Sequence, residues 1–103
     1  MQTTITARHC EISDALRERA AAVADRLGSF AARPIEATVV FDADGLRRTA
    51  EIRLHVPRGE VLVATGEADD HRTALDRAEE KLRRQVEKAA RPRRSRPSQA
   101  KPL

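Results

Sequence analysis

The chain has 103 residues, of which 20 are Lys or Arg and 16 are Asp or Glu, giving a formal net charge of +4. That length accommodates one domain and leaves little room for a second. Tryptophan and tyrosine are absent and only two residues are phenylalanine, so a deep ligand cavity with aromatic walls is not expected. No apolar run approaches the ~20 residues that a membrane span requires, and no secretory signal opens the chain. We therefore expect a small cytoplasmic domain.

The positive charge is concentrated at the C-terminal end of the chain. Residues 91–103 contain three of the five prolines, no acidic residue and five basic residues, Arg91, Arg93, Arg94, Arg96 and Lys101. The preceding 90 residues carry 15 basic and 16 acidic side chains. Proline interrupts helices, and so polar a segment cannot bury enough surface to order itself. We therefore expect a folded domain over 1–90 and a disordered basic tail over 91–103, which either solubilises the protein or contacts phosphates.

The first half of the chain predicts a strand, a helix and a second strand. Thr and Ile alternate over residues 2–8, as in a half-buried strand. Ser13 is a suitable N-cap for a helix over 14–27, whose apolar residues recur at helical spacing and which Gly28 is expected to end. Residues 35–41 then alternate between apolar and polar, which predicts a strand.

The second half of the chain predicts two further strands and a second helix. A turn cluster at 42–45 precedes an alternating segment over 49–56, and a tight connection at 57–59 leads to a strand at 61–65 that Gly66 is expected to end. Asp69 or Asp70 caps a helix that reaches about residue 90. A single narrow apolar stripe marks the buried side of this helix: Leu75, Ala78, Leu82, Val86 and Ala89.

The order of these elements, β-α-β-β-β-α, predicts an α+β two-layer sandwich. A helix joins the first two strands, so they are expected to pair in parallel. The remaining strands follow through short connections and are expected to be antiparallel. Neither helix can bury its apolar stripe alone, so both must cover one face of a four-stranded mixed sheet.

The outer side of the second helix carries a row of cations that could bind a polyanion. At about 100° per residue, five basic side chains fall close to one line along the helix: Arg77, Lys81, Arg84, Lys88 and Arg91. They span about two dozen ångströms, which fits a nucleic-acid backbone better than a small ligand. Arg19 and Arg26 also share a face of the first helix, seven residues apart.

Other interpretations of this row remain open. A charged outer face is often only solvated, and Glu80 and Arg84 have the spacing of an ordinary surface pair. Phe30 and Phe41 are too few to form a stacking platform for single-stranded bases, which favours structured RNA that is recognised by shape and phosphate. A generic RNA-binding module or a regulator with a protein partner would use the same domain.

The remaining motifs do not predict catalysis or metal binding. His9 and Cys10 have no second Cys or His pair at ligand spacing, and the segment 42–53 departs from a calcium-binding loop at its glycine and at its last position. No glycine-rich phosphate loop or nucleophile motif occurs. We therefore expect no enzyme activity, no metal and no cofactor.

Three segments resemble one known family, the ribosome hibernation-promoting factors and ribosome-associated inhibitors, which are also called sigma-54 modulation proteins. The segments 5–8 with 11–18, Leu54 to Glu60, and Asp70 to Gln85 are similar to the opening, the third hairpin and the second helix of that family. The likeness runs from residue 2 to about 90 in the family's order and spacing. The chain resembles the short form of the family, without the domain that pairs ribosomes.

The resemblance implies a β-α-β-β-β-α fold and a stress and stationary-phase function in translation. It implies binding to the small ribosomal subunit, through 16S rRNA in the channel for messenger and transfer RNA, and to the whole ribosome, by a protein that is a monomer when free. Lys81, Arg84 and Lys88 match rRNA-contacting positions of the family's second helix, and Arg26 matches a basic position late in the first. The helical row adds Arg77 and Arg91, and further contacts are expected from Arg19, Arg93, Arg94 and Arg96.

Overall fold

The computed structural model describes residues 1–30, 34–56 and 60–90 of the chain. Its helices and strands follow in the predicted order: β1 Gln2–Arg8, α1 Asp14–Phe30, β2 Glu36–Asp44, β3 Arg47–His55, β4 Val61–Ala68 and α2 His71–Ala90. The predicted connection at 57–59 and the predicted tail at 91–103 lie outside the described residues.

The four strands form one mixed sheet in the order β1-β2-β3-β4. β1 pairs in parallel with β2, with Ile5 opposite Val39, and the β2–β3 and β3–β4 pairs are antiparallel. The predicted pairing is thus confirmed. β1 and β4 are the outer strands, so each has one side on which no other strand of this sheet lies.

The turn between β2 and β3 is shorter than predicted. Pairing continues to Asp44 and Arg47, and only Gly45 and Leu46 form the turn. Gly45 has a φ of +64°, which glycine adopts without a steric cost and which two-residue hairpins require at this place. The predicted turn at 42–45 therefore starts too early.

Both helices cover the same face of the sheet, as predicted. The largest fully buried side chains come from that face and from the two helices: Phe41, Leu27, Ile52, Leu54, Leu75, Leu82, Val23, Val39 and Val86. The alternation along β2 and β3 places these apolar residues on one side of the sheet and residues such as Thr38 and Glu51 on the other. No described helix is both long and apolar enough to cross a membrane.

The two helices begin at the residues that their caps predict. In α1, the backbone N–H of Leu16 donates to Ser13 Oγ at 3.1 Å. In α2, the backbone N–H of Thr73 donates to Asp70 Oδ2 at 2.9 Å and its hydroxyl donates to Oδ1 at 2.8 Å. These hydrogen bonds stabilise the charged carboxylate and hold the pKa of Asp70 below its usual value.

Two glycines that were expected to end an element lie inside one. α1 continues through Gly28 to Phe30. Gly28 is buried, and a Cβ there would meet Met1 Cε at 3.0 Å. β4 continues through Gly66 to Ala68. A Cβ on Gly66 would meet the backbone of α2, 2.6 Å from Ala78 N. Both predictions of an end were wrong, because neither glycine adopts a positive φ. Gly66 instead permits the close approach of α2 to β4.

Candidate nucleic-acid interface

One side of α2 carries the predicted row of cations. Four of its members are described and all four are exposed: Arg77, Lys81, Arg84 and Lys88. Arg91 lies outside the described residues. Because α2 packs directly on β4 at Gly66, this side of the helix runs along the outer edge of the sheet. We call these four residues the cation row.

The edge of β4 accepts hydrogen bonds from three side chains of α2. They run in opposite directions along the two elements: Arg77 Nη1 donates to Glu67 O at 2.6 Å, Lys81 Nζ to Thr65 O at 2.9 Å and Gln85 Nε2 to Val63 O at 2.8 Å. Four helical residues advance about 6 Å, and two strand residues advance about 6.6 Å. Side chains at every fourth position therefore reach every second carbonyl. We call this arrangement the carbonyl ladder.

Arg84 and Lys88, the other two residues of the cation row, do not take part in the carbonyl ladder. Arg84 Nη2 lies 2.9 Å from Glu80 Oε2, and the two side chains are 73% and 68% exposed. Such an exposed pair contributes little to stability, so Arg84 can exchange its partner at a small cost. Within the described residues, no hydrogen bond or ion pair involves Lys88. The structure thus contains the surface ion pair between Glu80 and Arg84 that their spacing indicated.

The two arginines of α1 lie on the other side of α2, away from the cation row. Arg19 Nη2 is 2.9 Å from Asp76 Oδ1, and Arg26 Nε is 3.0 Å from Glu79 Oε2. Hydrogen bonding to Glu79 and its negative charge raise the pKa of Arg26. Glu79 and Lys81 are two residues apart and so project about 160° apart around the helix. The structure thus separates Arg19 and Arg26 from the cation row.

Gln85 belongs to the carbonyl ladder but was not predicted as part of the site. It carries no charge, so it did not enter the row, although it stands four residues after Lys81 and eight after Arg77. The i, i+4, i+8 spacing places the three residues on one line of α2 and could have indicated a shared contact. That contact becomes evident only when β4 is known to lie beside α2. The predicted contacts Arg93, Arg94 and Arg96 lie outside the described residues.

Two histidines contact the end of β2, and one of them, His9, is a residue considered above as a metal ligand. His9 Nδ1 lies 3.0 Å from Asp42 Oδ1, and His71 Nε2 donates to the backbone oxygen of Asp42 at 2.8 Å. Hydrogen bonds from His9 and from the backbone of Ala43 lower the pKa of Asp42. Among the described residues, no group of three or more His, Cys, Asp and Glu side chains could hold a metal ion.

Comparison with known sequences identifies relatives along almost the whole folded part. The family described as sigma 54 modulation protein / S30EA ribosomal protein matches residues 3–94. The ribosome hibernation promoting factor of Escherichia coli is 35% identical over 88 residues, which cover 85% of this chain and 92% of that protein. The protein of the same name from Pseudomonas putida is 32% identical over 88 residues and 85% of each chain.

Solved structures share the fold. The N-terminal domain of Protein Y from Thermus thermophilus superposes with a TM-score of 0.75 at 30% identity, over 86% of this chain and 99% of that one. A ribosomal subunit interface protein from Coxiella burnetii gives the same TM-score at 24% identity, over 86% and 97% of the two chains. The second likeness concerns the fold alone.

Proposed function

Since this chain belongs to the sigma 54 modulation protein / S30EA ribosomal protein family, we propose that it binds ribosomes and holds them inactive. The family comprises non-enzymatic ribosome-binding factors. The observation that carries the proposal is the 35% identity to a ribosome hibernation promoting factor, which extends over 92% of that protein. The likeness therefore includes the complete folded domain and not one motif.

We propose further that the domain occupies the decoding channel of the small subunit. There the cation row would neutralise phosphates of 16S rRNA, and the body of the domain would exclude messenger and transfer RNA by its volume. The 11 steps along α2 from Arg77 to Lys88 advance about 17 Å, a length that would span several phosphates of an RNA strand. Recognition would use phosphate and shape, because Phe41 is fully buried. The exposed Phe30, whose ring lies 5.1 Å from the Arg83 guanidinium, is a single aromatic side chain and cannot form a stacking platform for successive bases.

The other predicted contacts have a smaller part in this proposal. Arg19 and Arg26 are engaged by carboxylates of α2, so a phosphate would have to compete with an existing partner. The basic residues of the tail would add sequence-independent attraction to RNA. We propose that the free protein is a monomer and that it binds both the small subunit and the whole ribosome.

Co-sedimentation with purified small subunits and whole ribosomes tests the proposal. The double variant Lys81→Glu with Arg84→Glu should stay folded and lose binding. The matched control Arg72→Glu with Arg83→Glu makes the same charge change on the other side of α2 and should bind nearly as well as the wild type. Undiminished binding by the folded Lys81 and Arg84 variant would remove the cation row from the site.

Two further comparisons separate the proposal from its rivals. A chain ending at residue 90 should still sediment with small subunits, although more weakly at moderate salt, because the tail contributes only electrostatic attraction. Unrelated duplex RNA should compete poorly with the subunit. Equal competition by such RNA would indicate a generic RNA-binding module, and absence of co-sedimentation would favour a protein partner.

A further inference from the structure

We propose that the backbone of β4 positions the cations of α2 for RNA phosphates, and that Gln85 and Gly66 are positioning residues that raise affinity without contacting RNA. The inference rests on the proposed function, because it concerns the same cation row. The inference attributes part of the affinity for RNA to uncharged groups, namely the β4 backbone, Gln85 and Gly66. The carbonyl ladder is the observation that carries it.

The ladder removes part of the entropic cost of binding. Lysine and arginine are among the side chains that lose the most rotamer freedom when they are immobilised. Arg77 and Lys81 are already held by hydrogen bonds of 2.6 and 2.9 Å to Glu67 O and Thr65 O. A ligand that meets pre-ordered side chains loses less affinity to their ordering.

The ladder leaves donors of both cations available. The ammonium of Lys81 has three N–H donors and the guanidinium of Arg77 has five, and the ladder uses one bond from each. The accepting carbonyls lie two residues apart on β4, about 6.6 Å along the strand. That interval is comparable with the separation of neighbouring phosphates along an RNA strand. The two cations can therefore address adjacent phosphates while they remain on the edge of the sheet.

Gln85 and Gly66 maintain the alignment between helix and strand. The half-buried Gln85 donates to Val63 O at 2.8 Å and carries no charge that would attract a phosphate. Gly66 allows the approach, since a Cβ there would lie 2.6 Å from Ala78 N and 3.0 Å from Arg77 Cβ. Loss of either feature would let α2 shift along or away from β4 and release the two cations.

Lysine side-chain NMR on the free, full-length protein gives the first test. The chain contains only three lysines, Lys81, Lys88 and Lys101, so labelling at Cε and Nζ yields a small set of signals. The Cε methylene of Lys81 should be ordered and that of Lys88, which is in the cation row but not in the ladder, should be mobile. In Gln85→Met, Lys81 should become more mobile. Equal mobility of Lys81 and Lys88 in the wild type would overturn the inference.

Binding to purified small subunits at several salt concentrations gives the second test. Gln85→Met should weaken binding roughly two- to tenfold, the range expected for immobilising one rotamer-rich side chain, with an unchanged slope of log affinity against log salt. Lys81→Gln should weaken binding and also reduce that slope by about 0.7 to 0.9, as the loss of one phosphate contact does. Gln2→Met is the matched control, because it makes the same change on β1 and should bind as the wild type.

The outcomes separate this inference from the proposed function. If Gln85→Met bound with wild-type affinity, or if its salt slope were reduced, the positioning function of Gln85 would be overturned. Either result would leave the proposed function of the cation row unaffected. Full binding by Lys81→Gln would instead contradict the proposed site. Gly66→Ala is a second positioning variant, and circular dichroism with thermal unfolding verifies that each protein compared is folded at the temperature of the binding measurement.

Discussion

Arg26 of α1 and Glu79 of α2 are joined by two hydrogen bonds, of 3.0 Å from Nε to Oε2 and 3.3 Å from Nη2 to Oε1. A two-point contact between a guanidinium and a carboxylate fixes orientation as well as distance. It therefore ties the two helices together above the sheet. The same contact directs the charge of Arg26 to the side of α2 that faces α1.

This pair predicts different effects for two basic residues. Arg26→Gln should lower the thermal unfolding temperature, since it breaks the contact between helices, and should weaken ribosome binding less than Lys88→Gln does. Lys88→Gln makes the same charge change without breaking a hydrogen bond to a described residue. Differential scanning fluorimetry and co-sedimentation measure the two effects. A larger loss of binding in Arg26→Gln would place Arg26 among the main rRNA contacts.

The N-cap of α1 predicts a measurable contribution to stability. Ser13→Ala removes the acceptor of the Leu16 N–H and should lower the free energy of unfolding by about 1 kcal/mol. For a domain of this size, that loss corresponds to roughly 4–8 °C in unfolding temperature. Ser29→Ala is the control, because Ser29 is exposed near the other end of α1 and only donates to Arg26 O. An equal effect of both changes would contradict the capping function.

The two buried glycines should respond oppositely to alanine. Gly66→Ala places a methyl group against the backbone of α2 and should destabilise the fold by about 1–3 kcal/mol, the usual cost of overpacking. Gly28→Ala meets mainly the end of the Met1 side chain, which is 49% exposed and able to move. Alanine also favours a helix by up to about 1 kcal/mol over glycine, so this variant should be neutral or more stable. Urea unfolding of the two variants measures both changes.

The cap of α2 predicts a dependence of stability on pH. The folded-state pKa of Asp70 is lowered by the hydrogen bonds from Thr73, so the carboxylate stabilises the fold above its unfolded-state pKa. This contribution is lost as the pH falls through the lower folded-state pKa. Asp70→Asn keeps a capping acceptor but cannot titrate. Its unfolding temperature should therefore fall less between pH 6 and pH 3 than that of the wild type, and an equal fall would contradict the assignment.

Much of the fold could be predicted from the sequence, because each element is encoded within its own residues. The alternation of 35–41 and 49–56 identified strands that bury one face, and the narrow stripe from Leu75 to Val86 identified the core side of α2. The capping residues Ser13 and Asp70 marked helix starts to within a residue. The crossover through α1 predicted parallel pairing of β1 with β2. The likeness to a family of ribosome-binding factors was also visible from short segments in order.

The side of α2 that we propose binds RNA could be predicted only in part. The helical period placed Arg77, Lys81, Arg84 and Lys88 in one exposed row, and the structure confirms that exposure. The helical period did not reveal that Arg77 and Lys81 donate hydrogen bonds to carbonyls of β4. It also did not reveal that the uncharged Gln85 makes the same kind of contact. Nor did it reveal that Arg26 faces Glu79, on the other side of the helix.

The face of each helix or strand that a residue occupies could thus be predicted from the sequence, since backbone geometry sets that face residue by residue. The partner that each side chain meets depends on the distance between elements, which packing sets, so it became known only from the folded structure. Gly28 and Gly66 show the difference. From local conformational freedom alone, each glycine predicts the end of a helix or strand. In the structure, Met1 occupies the space that a Cβ on Gly28 would fill, and α2 occupies the corresponding space at Gly66. That close approach of α2 to β4 brings the cations to the edge of the sheet.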